Sequence, residues 1–170
     1  MKTTLKLVLV VTLVALCSAV SAQNLKLAYI NMQELIVSMP DYDSAMVELQ
    51  KYEKELTEFL EEMQVEWNRL AENYQKNQAN WNDLVKQARN DELLTMQQRI
   101  QTSQQQAEEN YQMEYNKLLQ PVIDKANKAI EDVAKAQGIN GVINDQMLIY
   151  KDANMINLLP AVQKHLGIAR

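Results

Sequence analysis

From Met46 onward, apolar side chains return every three or four residues. One series runs Leu49, Leu56, Met63, Leu70, Asn77 and Leu84; the other runs Met46, Glu53, Leu60, Trp67, Tyr74, Trp81 and Ala88. Each steps by seven over about six heptads, the period of a supercoiled helix rather than of an isolated amphipathic one. Glu53 and Asn77 break the stripe, while Glu, Lys, Gln and Asn fill the outward positions. The pattern predicts a helix over about 44–80, on the order of 55 Å long at 1.5 Å per residue. A helix of that length protrudes from any body a short chain can build. Asn and Asp cluster between residues 77 and 91 and place a reversal there, with no Gly or Pro to locate it further. The return helix carries Leu93, Gln97, Ile100, Gln104, Ala107, Tyr111, Tyr115 and Leu118 on one face. Its stretch Gln97–Gln106 holds six glutamines, which predicts a loose seam there.

The flanks follow other rules. Leu25–Asn31 is a short apolar stretch suited to a buried strand, followed by a helical turn through Met32–Ser38 that Pro40 closes. Asp41, Asp43 or Ser44 can then cap the long helix by accepting its free N–H groups. Pro121 marks a kink or a fresh start at a first-turn position. Val122, Ala126, Ala129, Ile130 and Val133 continue to Gly138, a natural left-handed stop. Beyond it, Gly141–Asn144, a turn at Asp145-Gln146 and Met147–Tyr150 read as a short β-hairpin. Asn157 caps a last helix through Leu166, closed by Gly167. The first strand and this hairpin lie at opposite ends of the sequence, and a long antiparallel helical hairpin brings them together. The sheet so formed is too small to be stable alone, so the sheet end is where subunits should meet.

The first 22 residues belong to no fold. Lys2 and Lys6 precede an apolar run from Leu7 to Leu16. Ser18–Ala22 then supplies small residues, with Val20 and Ala22 at −3 and −1 of a cleavage before Gln23. The run is short of the roughly 20 residues that span a bilayer, so it reads as a cleaved export signal. Lipidation at Cys17 is the other possibility, and it is disfavoured by the bulky Leu16 before it.

Composition narrows the chemistry. Of 170 residues 47% are hydrophobic, with three Gly and three Pro, too few turn formers for a many-stranded barrel or sandwich. The net charge of −5 becomes −7 once the two leader lysines are gone. An acidic chain lacks the basic face that nucleic acid requires. One Cys and one His leave little material for a metal site or a nucleophile–base pair. Glu61-Glu62 and Glu108-Glu109 are adjacent on helices and do not face each other, so no acid–base pair forms there. No enzyme, no metal and no cofactor are expected, and no integral membrane segment.

At this point the order of elements resembles a known family. Leu25-Lys26-Leu27-Ala28-Tyr29-Ile30-Asn31-Met32 looks like the opening strand of the Skp/OmpH-like periplasmic chaperones. The helical hairpin matches their tentacle, and Gly138…Gly141-Val142-Ile143-Asn144…Tyr150 with a short closing helix is similar to their last elements. Met39-Pro40 and Leu119-Gln120-Pro121 resemble the Bacteroidetes-type variant. The resemblance covers about 23–170 and rests on element order rather than on any one motif. It implies an α+β, predominantly α fold: a coiled-coil hairpin (44–119) on a small β-sheet trimerisation body (23–43 and 120–170). It also implies a homotrimer acting as an ATP-independent holdase for unfolded outer-membrane β-barrel proteins. The chain departs from the strongly basic members of the family, which argues against lipopolysaccharide as a partner.

Within that frame the residues expected to touch a client are Tyr52, Phe59, Tyr74, Trp81, Leu84, Val85, Leu94 and Met96. Tyr52 and Phe59 lie seven apart on a flank of the seam, whereas Trp81, Leu84 and Val85 widen the apolar stripe near the tip. Trp67 is assigned to seam packing, His165 to the surface and the glutamine run to a solvated face. The subunit-contact residues expected in the body are Leu27, Tyr29, Ile30, Val142, Ile143, Leu148, Ile149 and Tyr150. The alternative to a holdase is a periplasmic coiled-coil adaptor that bridges envelope components. A spacer wants a continuous tight seam, which Asn77 and the glutamines do not favour.

Overall fold

In the opening strand β1 (Leu27–Ile30) successive side chains point to opposite faces. Ala28 and Ile30 are buried, while Tyr29 is half-buried and Leu27 exposed on the other face. The computed structural model describes residues 25–168, so the export signal, Cys17 and the cleavage point lie outside the described residues. Asn31 starts α1 (Met32–Val37) by accepting the Glu34 N–H on its side chain at 2.9 Å. The long helix α2 runs Pro40–Asn77. It begins at Pro40 rather than after it, because a first-turn proline gives up an N–H that had no intrahelical partner and brings a helical φ. Asp41 and Asp43 therefore sit in the first turn instead of capping it, and Ser44 Oγ donates back to the Pro40 carbonyl at 3.1 Å.

A 3₁₀ turn (Gln78–Asn80) and Trp81 reverse the chain, and Asn82 nucleates the return by accepting the Val85 N–H at 3.0 Å. The return helix α3 runs Asp83–Ala136, about 80 Å at 1.5 Å per residue. It is continuous through Pro121, so of the kink or fresh start expected there the fresh start does not occur. Pro121 removes one N–H at a solvent-exposed position, while Leu119 and Val122 on either side are buried, and their burial holds the helix together. At the far end Gly138 takes φ +63°. The Ile139 N–H reaches back to the Ala134 carbonyl at 2.9 Å and Gly138 N–H to Lys135 at 3.2 Å. This paired closure leaves Ile139 and Ala134 together in the core.

The remaining elements are β2 (Gly141–Asn144), a 3₁₀ turn (Asp145–Met147), β3 (Ile156–Asn157) and α4 (Leu159–His165). The sheet order is β2-β1-β3, and both pairings are parallel, with Leu27 opposite Gly141 and Tyr29 opposite Asn157. The expected β-hairpin at 141–150 is thus not formed. β2 takes one edge of β1, so the third strand can only take the other. The chain must cross the sheet to reach it, which two-residue turns cannot do. Met147–Tyr150 is spent on that crossing, and Ile156 pairs in its place. Gly141 gives close room where β2 meets β1: a Cβ there would lie 3.1 Å from Leu27 Cδ2, so the exposed leucine side chain would have to shift by a few tenths of an ångström. Asn157 does serve the last helix, accepting the Leu159 N–H at 3.1 Å, although Leu158 holds the cap position.

One core fills this end of the molecule. Ala28, Ile30, Leu35, Met39, Val122, Ala126, Val133, Leu158 and Val162 form it with their neighbours. The α3 members recur at three- and four-residue steps, so a single helix face roofs the small sheet. The Asp41–Lys125 ion pair, 2.7 Å, ties the root of α2 to α3.

Candidate binding surface of the helical hairpin

Among the described residues beyond the body, α2 and α3 pack chiefly on each other. Their own core is small: Met63, Met96 and Ile100, with Trp67 and Leu70 half-buried against it. Between Leu49 and Met63 on α2 no side chain is buried, and between Ile100 and Leu119 on α3 only Ala107 is. The loose part of the seam therefore takes in the later glutamines, Gln101–Gln106, and continues past them, whereas Gln97 and Gln98 lie beside the buried Met96 and Ile100. Gln97 and Gln104 point to solvent, as do the other four, and Met96, Ile100, Ser103 and Ala107 face inward in their place. Trp67 packs in the seam as expected, with its indole N–H shielded and unpaired among the described residues.

The expected contact residues divide into three groups. Phe59, Leu84 and Leu94 are exposed, Leu84 by 77% and Leu94 by 55%. Tyr52, Tyr74, Trp81 and Val85 are half-buried. Tyr52 lies in line with the seam rather than on its flank. Tyr74 meets Trp81 edge-on, ring centres 5.8 Å apart, which fixes the tryptophan at the reversal. Met96 is the third case. It is buried against Met63 and Ile100, so it has almost no surface to offer and holds the hairpin closed instead. Ile100 and Ala107 keep the inward places expected of them, but the alternate seam positions fall one residue earlier, at Met96 and Ser103 rather than Gln97 and Gln104.

Three exposed apolar residues have no place in the expected pattern, Val47, Val65 and Met113, and Tyr115, expected on the inward face of the return helix, is exposed as well. Val47 and Val65 are eighteen apart, five whole turns, and share one face of α2. The signal was their position off both heptad series. Acidic side chains surround them, and some are neutralised locally. Arg69 grips Glu66 through two bonds of 2.8 and 2.6 Å and holds its carboxyl below the usual range. Lys76 does the same for Glu72. Asp43, Glu53, Glu61 and Glu62 have no cation within ion-pair distance among the described residues.

In the body, Ile30 is only 3% exposed and sits in the chain's own core, so it cannot also face another subunit. Leu27 is exposed and Tyr29, Val142, Ile143 and Leu148 are half-buried. Ile149 and Tyr150 project into solvent from the crossing segment, and Lys151 Nζ lies 4.2 Å over the Tyr29 ring. Among the described residues no group of three His, Cys, Asp or Glu side chains is placed to hold a metal. No helix there is long and apolar enough to cross a membrane.

This geometry matches a known family and fold. The profile of the outer membrane protein (OmpH-like) family matches residues 26–166. Comparison with curated proteins returns no match. Among solved structures, a candidate outer-membrane chaperone (OmpH-like) from Caulobacter crescentus CB15 superposes with a TM-score of 0.72. It shares 12% sequence identity over 88% of this chain and 86% of its own.

Proposed function

Because this chain belongs to the OmpH-like outer membrane protein family, we propose that it is an exported periplasmic chaperone. It holds unfolded outer-membrane β-barrel proteins soluble before their insertion, without ATP. The observation that carries this reading is the contrast between the two ends of the molecule. The body gathers one large core and leaves Leu27, Ile149 and Tyr150 exposed beside its sheet, whereas the hairpin buries only the Met63–Met96–Ile100 cluster and strings Val47, Phe59, Val65, Leu84, Leu94 and Met113 exposed along its charged helices. Scattered apolar side chains on a charged scaffold bind many sequences weakly and release them, which is what an unfolded client requires.

The body supplies the second part of the proposal. Leu27, Ile149 and Tyr150 are exposed beside a three-stranded sheet whose β2 strand has an open edge. Three bodies would cover these surfaces, and three hairpins would then surround one client. Binding rather than turnover is the activity, and the −7 charge of the processed chain turns recognition away from lipopolysaccharide. The test is dilution of a urea-unfolded β-barrel protein into residues 23–170, followed by light scattering and co-elution. Suppressed scattering with about three chains per client supports the reading. Unchanged aggregation in the presence of folded protein refutes it and favours a coiled-coil adaptor. Sedimentation equilibrium of a stable monomer removes the enclosed-client arrangement.

A further inference from the structure

The charge of this chain is not spread evenly. Residues 44–119 hold fourteen acidic and eight basic side chains; the rest of the chain after residue 22 holds eight and seven. Nearly all the excess therefore lies on the hairpin. Between Glu53 and Glu66 there are six carboxylates and one lysine.

The loose part of the seam carries a groove whose lining takes in Glu53, the first of these carboxylates. One hollow of about 460 Å³ opens between Tyr42, Met46, Leu49 and Tyr111, and a second of about 290 Å³ between Leu56, Leu60, Gln104 and Ala107. Glu53 and Tyr111 line both, so the two form one trough along the α2–α3 junction. The small Ala107 side chain is what leaves the second hollow open. The first hollow is mainly apolar and the second mixed, with Leu56, Leu60 and Ala107 beside Thr57 and Gln104, and Asp43, Glu53 and Glu108 give the trough an acidic lining. None of the three meets a cation within ion-pair distance among the described residues. The trough follows α2 from residue 42 to 60, about 27 Å, the length of an extended segment of about eight residues.

We propose that this trough binds extended chain segments in which aliphatic or aromatic residues are interspersed with Lys or Arg. Apolar side chains enter the trough, and the long basic stems lie along it while their charges reach its carboxylates. The proposal deepens the chaperone reading and rests on it for the kind of occupant, an unfolded chain. It names the sequence class that this acidic protein selects.

The test uses residues 23–170 and two labelled eight-residue peptides, one alternating Leu and Tyr with Lys, the other with Glu in place of Lys, followed by fluorescence anisotropy. Three exposed charge contacts of about two- to threefold each predict roughly tenfold tighter binding of the Lys peptide at low ionic strength. Screening should bring the ratio close to unity at 0.5 M salt. Glu53→Lys should abolish the preference, while Asp91→Lys, an equal charge change on exposed α3 outside the trough, should retain most of it. Equal affinity for both peptides, or equal loss in the two variants, overturns the proposal. An aggregation assay run beside it separates the two ideas. Suppressed client aggregation without peptide preference leaves the chaperone and removes the trough; peptide preference without suppression does the reverse.

Discussion

Replacing Leu84 and Leu94 by alanine removes the two most exposed expected contact residues of the hairpin without touching its core. Full burial of a leucine side chain stabilises by about 1.5–3 kcal/mol. Leu84 has 77% of its surface available and Leu94 55%. A client that covered all of it would gain about 2–4 kcal/mol from the pair, and one that covered half about 1–2 kcal/mol. The double variant should therefore bind an unfolded β-barrel protein about 5- to 30-fold more weakly. Its melting temperature should stay within a degree or two, because both positions are solvent-facing and alanine is at least as good a helix former as leucine. Affinity is read by anisotropy of a labelled, urea-diluted client, and folding by circular dichroism on the same preparation. Affinity within twofold of the parent, from a protein that melts unchanged, refutes the idea that exposed leucines near the reversal grip the client.

Three further outcomes follow from the local structure. Gly138→Ala should lower stability by about 1 kcal/mol in chemical denaturation, since the residue sits at φ +63° with open space around it and only backbone strain is added. Pro121→Ala should raise stability by about 1–2 kcal/mol, because it restores an N–H inside an unbroken helix at an exposed position; a drop would mean that the proline shapes the helix rather than being tolerated. Lys125 donates to Asp41 and holds its carboxyl below the usual range, so the folded state takes up a proton there less readily than the unfolded one. That contribution is complete above the ordinary carboxylate range and fades as pH falls through the lowered value. The stability difference between parent and Asp41→Asn should accordingly shrink in acid and persist at neutral pH, as urea titrations at several pH values would show.

Much of the architecture was legible because it depends on local signals. The seven-residue recurrence of apolar side chains requires long paired helices whatever else the chain does, and the Asn and Asp cluster after Asn77 is where helix propensity fails. Gly138 and Gly167 mark helix ends because each adopts a positive φ that other residues resist. The exposure of Phe59 was legible, since an apolar residue off the seam faces solvent, whereas Leu84 continues a heptad series and is exposed because the chain reverses at Gln78–Trp81 before it.

What failed has a common cause. Met147–Tyr150 has the composition of a strand, yet whether a segment pairs depends on which edges of β1 remain free, and β2 and β3 occupy both. The inward turn of Met96 depends on how α3 is rotated against α2, and a run of glutamines says little about rotation because it buries nothing on either face. Pro121 reads in isolation as a kink or a fresh start, but the burial of Leu119 and Val122 on the body carries one helix through it. The sequence by itself therefore determined the paired helices, their ends and the acidity of the hairpin, because periodicity, backbone conformation and charge are properties of neighbouring residues. Only the tertiary structure decided the parallel sheet order, the face that each helix turns inward and the trough beside Glu53. Those follow from packing between residues far apart in the chain, where small differences in burial select one arrangement among several that local preference allows.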